Sequence, residues 1–162
     1  MRAVALFCCL ILASAACSSG RNAAVGDRPA RPPIVLITID TLRADRLGPY
    51  GSARGLTPSL DAFAREATRF TAAVSQVPLT LPSHATILTG LHPAHHGVRT
   101  NDGFRLLPTA PTLAAALKSA GYATGAFVGG YPLRGSSGLS RGFDRYDDAF
   151  LASPGAIERS AD

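Results

Sequence analysis

The sequence predicts an α/β fold, a mainly parallel sheet flanked by helices. Two runs rich in β-branched and small apolar residues, 34–39 and 122–128, alternate with segments of helical period. The first run is apolar on both faces, the pattern of a central parallel strand covered by helices. The 12 Pro and 16 Gly among 162 residues argue against a helical bundle and for many turns. This length permits one domain and hardly two.

Taken in order, Met1-Arg2 and the apolar stretch 3–13 lead to small residues before Cys17, which makes residues 1–16 a secretory signal. The stretch is shorter than the ~20 apolar residues of a membrane-spanning helix. A Cys after small residues, followed by Ser18-Ser19-Gly20, resembles a bacterial lipoprotein signal, with Cys17 lipidated and N-terminal in the mature chain. Ser14 stands where that pattern usually has Leu. The chain is thus expected in a bacterial cell envelope, lipid-anchored and facing out of the cytoplasm, or otherwise secreted or periplasmic. Residues 17–32, polar, Gly-containing and with Pro29 and Pro32 just before Pro33, read as a tether.

The folded part is expected over 33–150. Residues 34–39 form its first strand, with Asp40 at the carboxyl end. Thr57-Pro58 opens a helix through a capping Thr and a first-turn Pro, with Leu60, Phe63, Ala64 and Ala67 on one face. Residues 70–74 suit a short strand. Residues 82–89 read as a second helix closed by Gly90, and 112–120 as a third closed by Gly121. The run 122–128 is the next strand, and 151–162 is a tail without a closing element.

Charge and cysteine content narrow the function. The formal net charge is +5, with Arg supplying 15 of 16 cations, scattered rather than clustered. A nucleic-acid binder would gather them into a patch, so no nucleic-acid partner is expected. All three Cys lie within the first 17 residues, which excludes a disulfide framework, Cys-ligated zinc or a Cys nucleophile from the body of the chain.

Ligands in open α/β sheets bind beyond the carboxyl ends of the strands, the address of Asp40. A carboxylate there can hold a divalent cation, or cap the following turn with Thr41 and Arg43 as partners. Thr80 precedes the Pro of the second helix by two residues, where free N–H groups and the helix dipole suit an oxyanion and favour an alkoxide nucleophile. His84 could contact that anion. The plainer alternative makes Thr80 or Ser83 an N-cap and leaves His84 in solvent. All four histidines (His84, His92, His95, His96) fall within 13 positions, the last three in a loop. That raises an anion or metal pocket, although at least two suit a surface turn.

These pieces in this order resemble the N-terminal part of the sulfatase family, within the alkaline phosphatase superfamily. The matching residues run from Pro33 through Asp40 to Asp45, then Gly48-Pro49-Tyr50-Gly51, Thr57 to Asp61, and Thr80 to Gly90. His96 to Arg99, Pro111 to Leu113, Gly121 to Thr124 and Gly142-Phe143-Asp144 complete the match over about 33–148. The resemblance implies an alkaline-phosphatase-like fold and ester hydrolysis with a divalent metal (Ca, Zn or Mg) held by Asp40 and Thr80. It makes Thr80 the nucleophile and His84 an aid to anion binding. The substrate would be a small-molecule or glycan sulfate or phosphate ester.

Two departures qualify this. Sulfatases carry a second Asp where Thr41 stands, and a Cys or Ser, matured to formylglycine, where Thr80 stands. Thr80-Leu81-Pro82-Ser83-His84 instead resembles phosphodiesterases of the nucleotide pyrophosphatase type, whose nucleophile is Thr. A Thr alkoxide suits phosphoryl transfer, but it lacks the second hydroxyl with which the formylglycine diol expels sulfate. A phosphodiesterase or phospho-headgroup transferase is therefore one alternative, and a non-catalytic cell-surface lipoprotein another. Nothing after Asp144 resembles the further metal ligands of the superfamily, so the chain reads as a fragment or a truncated frame, inactive alone.

Overall fold

The computed structural model describes residues 31–149. The expected signal, Cys17, nearly all of the tether, and the tail lie outside them. The chain divides into two units, Met1–Thr38 and Ile39–Asp162. In the first unit, residues 31–38 carry neither helix nor strand, and Val35 and Ile37 are 78% and 77% exposed. The strand expected over 34–39 is therefore not formed. Strands are held by their ladders, and among the described residues one ladder exists, elsewhere in the chain.

The second unit begins with 3₁₀ turns at Ala44–Arg46 and Gly48–Tyr50, then helix α1, Pro58–Glu66. Pro58 takes the first turn as expected, but Thr57 makes no side-chain cap to the helix N–H groups. Its hydroxyl donates to the Asp61 carboxylate (2.9 Å) and accepts the Gly48 N–H (3.0 Å). The apolar face of α1 is not covered: Leu60 and Phe63 are exposed. The expected strand at 70–74 is absent too, with Phe70 and Val74 open to solvent.

Helix α2, Thr80–Thr89, begins two residues earlier than its Pro suggested and closes at Gly90 as expected. Gly90 is left-handed (φ 68°) and returns its N–H to the Thr86 carbonyl, a geometry costly for other residues. The expected histidine loop instead contains one helical turn, α3, Pro93–His96. Helix α4, Leu113–Ser119, is capped by Thr112, whose hydroxyl accepts the Ala115 N–H.

Strands β1, Gly125–Phe127, and β2, Arg145–Asp147, pair in parallel, with Ala126 opposite Tyr146. The expected strand over 122–128 is thus present but shorter, and its partner β2 had no signal of its own. Leu81, Ala85, Val98, Leu106, Ala110, Leu133 and Leu139 form the core, with Leu88, Leu91, Val128 and Tyr146 packed against it. Each fully buried Leu contributes about 1.5–3 kcal/mol relative to exposure. Two of these residues, Leu81 and Ala85, lie on α2, so the core fixes that helix at its N-terminal end.

Candidate active site

The site is built where α2 starts. Leu79, in extended backbone, is the N-cap and offers no side chain to the helix. Neither Thr80 nor Ser83 caps it. Thr80 is the first helical residue, Pro82 has no N–H to satisfy, and the Leu81 N–H goes to the Asn101 side-chain carbonyl at 2.9 Å. Leu81, Pro82 and Ala85 are buried, so the first turn cannot roll without opening the core.

That anchoring presents Thr80 to Asp40. The half-buried Thr80 hydroxyl donates to Asp40 Oδ2 at 2.9 Å, across 40 positions of sequence. The alternative partners of Asp40 fail, because Arg43 turns away to Asp45, its Nε and terminal nitrogen lying 2.9 and 2.7 Å from the carboxylate oxygens. Thr41 follows Asp40 at φ 54°, the one non-glycine residue in left-handed backbone among those described. A β-branched residue there stores roughly 1–3 kcal/mol of strain.

His84 lies one turn along α2, with Nδ1 2.8 Å from the Thr80 carbonyl. A carbonyl only accepts, so Nδ1 carries a proton. The neutral ring then has Nε2 as an acceptor, and contact with an anion through Nε2 requires the doubly protonated ring. The other histidines part company: His92 and His95 are exposed, as expected of two of them, whereas His96 is buried. His96 Nδ1 accepts the Val98 N–H and Nε2 lies 3.1 Å from the Thr86 hydroxyl. Burial pushes its pKa below the usual imidazole range, and the neighbouring His92 acts in the same direction. It ties the α2–α3 junction rather than a ligand.

For a metal, Asp40 and Thr80 offer oxygen donors at one point, the donor type a hard cation prefers. They fit one side of such a shell. Among the described residues no group of three or more His, Cys, Asp or Glu is placed to hold a metal.

The Sulfatase family pattern matches residues 32–157. The chain belongs to the sulfatase family. This sulfatase chain is 41% identical to an ulvan-active sulfatase of Formosa agariphila over 110 residues, covering 67% of the chain and 21% of that relative. It is 36% identical to the steryl-sulfatase of Mus musculus over 143 residues, covering 76% and 23%. The solved structure of a 2-O GAG sulfatase superposes with a TM-score of 0.59 at 29% identity, over 71% of the chain and 24% of that protein. The fold is accordingly alkaline-phosphatase-like, and the motif resemblance stands. The chain spans about a quarter or less of the length of these relatives.

Sequence reasoning missed Asn101. Nothing local marks it, because its partner Leu81 is 20 positions away; a polar residue just after the His96–Arg99 turn was the sole hint.

Proposed function

We propose that this chain carries the nucleophile-bearing part of a metal-dependent hydrolase of sulfate or phosphate esters. The supporting observation is the Thr80–Asp40 hydrogen bond at the start of a core-anchored helix. Thr80 Oγ1 attacks sulfur or phosphorus, its proton passes to Asp40 Oδ2, and the ester's alkoxy oxygen leaves, forming a covalent Thr ester that water then hydrolyses. His84, when doubly protonated, pairs with a non-bridging oxygen. Asp40 and Thr80 would hold a divalent cation, which when bound supplies positive charge that favours the alkoxide.

The relatives named above are sulfatases, which supports ester hydrolysis; Thr80 in place of a formylglycine precursor favours phosphate esters, diesters above all. The test compares turnover of aryl sulfate, phosphomonoester and phosphodiester by the complete gene product. Greater sulfate turnover overturns the phosphate preference, and no turnover of any of the three overturns the hydrolase. Transfer of the phospho-group to an envelope acceptor would appear as an ester product in place of free phosphate.

The location proposed is the cell envelope, through lipid on Cys17. Two or three acyl chains anchor firmly where one is marginal. Cys17→Ser should release the protein from membranes or block its maturation, and a wholly soluble wild type with an unmodified N-terminus refutes the anchor.

A further inference from the structure

A second group of donors lies apart from Thr80. The 3₁₀ turn Gly48–Tyr50 and helix α1 enclose an open cavity of about 380 Å³, lined by Ser52, Asp61, Arg65 and Arg69 among others. This is within the size range of small-molecule sites. The Ser52 hydroxyl oxygen is buried and has no hydrogen-bond partner. Arg65 forms no ion pair among the described residues, even with Asp61 one turn before it on the same helix. Asp61 is instead engaged by the Thr57 hydroxyl. Arg69 is held in place, donating to the Pro49 carbonyl with its guanidinium 5.7 Å from the centre of the Tyr50 ring.

A buried hydroxyl without a partner costs roughly 1–3 kcal/mol. Here it shares a cavity with an unpaired guanidinium and a second one already positioned. Against two cations, Asp61 is the one acid in the lining, and the Thr57 hydroxyl already occupies one of its oxygens. Guanidinium forks match the paired oxygens of tetrahedral oxyanions.

We propose that this cavity is a binding subsite for a sulfate or phosphate group, separate from Thr80. Arg65 and Arg69 supply the charge and Ser52 the hydroxyl donor. The free anion and an esterified group on a sugar share this chemistry, and the cavity volume leaves room for a ring beside the anion.

The test titrates the full chain by calorimetry with inorganic sulfate and, separately, with a sulfated monosaccharide. Saturable binding of either that is lost in the Arg65→Gln/Arg69→Gln double variant supports the subsite, and the tighter of the two identifies the source. Arg65→Gln, an exposed substitution that leaves the fold in place, should weaken binding about tenfold, as expected for one charge-assisted hydrogen bond. Ser52→Ala should weaken it several-fold with an unchanged circular dichroism spectrum. Thr80→Ala should leave the component that depends on Arg65 and Arg69 unchanged, so failure here is distinct from failure of the site on α2. No saturation with either ligand, or undiminished binding in the Arg65→Gln/Arg69→Gln double variant, overturns the proposal.

Discussion

The Thr80 hydroxyl hydrogen-bonds to Asp40 Oδ2 at 2.9 Å, joining the start of α2 to a carboxylate 40 positions earlier. If Thr80 is the attacking group, Thr80→Ala removes the covalent intermediate and several powers of ten in turnover while the chain still folds. Thr80→Ser keeps a hydroxyl and drops a methyl, so it should retain much of the activity. The check is turnover of the complete gene product beside its thermal melt. A folded Thr80→Ala protein with near-wild-type turnover reduces the hydroxyl to a surface contact.

Acid should weaken the fold through His96. Its folded-state pKa is lowered by burial, so in the unfolded chain it takes up a proton first as pH falls below about 6.5. Stability is therefore full above that pH and declines as pH drops toward the depressed folded value. Urea midpoints between pH 7.5 and 5 should show the slope, and His96→Gln should flatten it. The same substitution should cost about 1–3 kcal/mol at pH 7.5, because it disturbs hydrogen bonds to the Val98 N–H and Thr86.

Helix ends were legible where a single residue decides them. Gly90 and Gly121 stop their helices by adopting positive φ. The starts were less legible, since the expected cap Thr57 makes no side-chain cap and Thr112, expected to be helical, is the residue that caps α4. Strands were legible less well, because a strand depends on what lies beside it. Residues 34–39 have the composition of a buried strand yet stand exposed, while Arg145–Asp147, with no apolar signal, pairs with β1. The site divides the same way. Asp40, Thr80 and His84 could be picked by residue type and address, and the fold brings all three together. Asn101 and the burial of His96 depend on long-range packing, which leaves no local pattern.

Gly142 should tolerate no side chain. Its φ is +94°, and a Cβ there would sit 2.2 Å from the Ala115 backbone nitrogen. The closeness follows from Thr112, which caps α4 and also donates to the Arg141 carbonyl at 2.9 Å, drawing that loop onto the helix start. Gly142→Ala should cost at least ~2 kcal/mol, the left-handed penalty plus backbone displacement. A fall in thermal midpoint of several degrees checks it, and an unchanged midpoint would show that the loop moves freely.

The Asp144 carboxylate should titrate unusually low. The Lys118 ammonium 2.6 Å away is the largest cause, followed by the Thr124 N–H and hydroxyl, and together they bring its pKa to about 2. A depressed carboxylate stabilises the fold above its unfolded value near 4, and that contribution disappears as pH falls through about 2. Carbon-detected NMR titration reads the value directly. Lys118→Met should raise it while leaving it below 4, because both Thr124 donors remain.

The Asn101 side chain should matter to both fold and site. Leu81 is 1% exposed, and its N–H meets the Asn101 carbonyl oxygen at 2.9 Å. Asn101→Ala would leave that buried N–H without its acceptor, a cost of roughly 1–3 kcal/mol. The loss falls on the residue next to Thr80, so the start of α2 should fray and the Thr80–Asp40 distance lengthen. Asn101→Asp keeps the acceptor oxygen and places a negative charge at a helix N-terminus, which the dipole favours. It should therefore restore stability. Turnover should separate from stability in that variant, because the added charge repels an anionic substrate near Thr80 and raises KM. If Asn101→Ala melts like the wild type, the capping role is wrong. If Asn101→Asp recovers stability with an unaltered KM, Asn101 supports the helix alone and lies out of reach of the substrate.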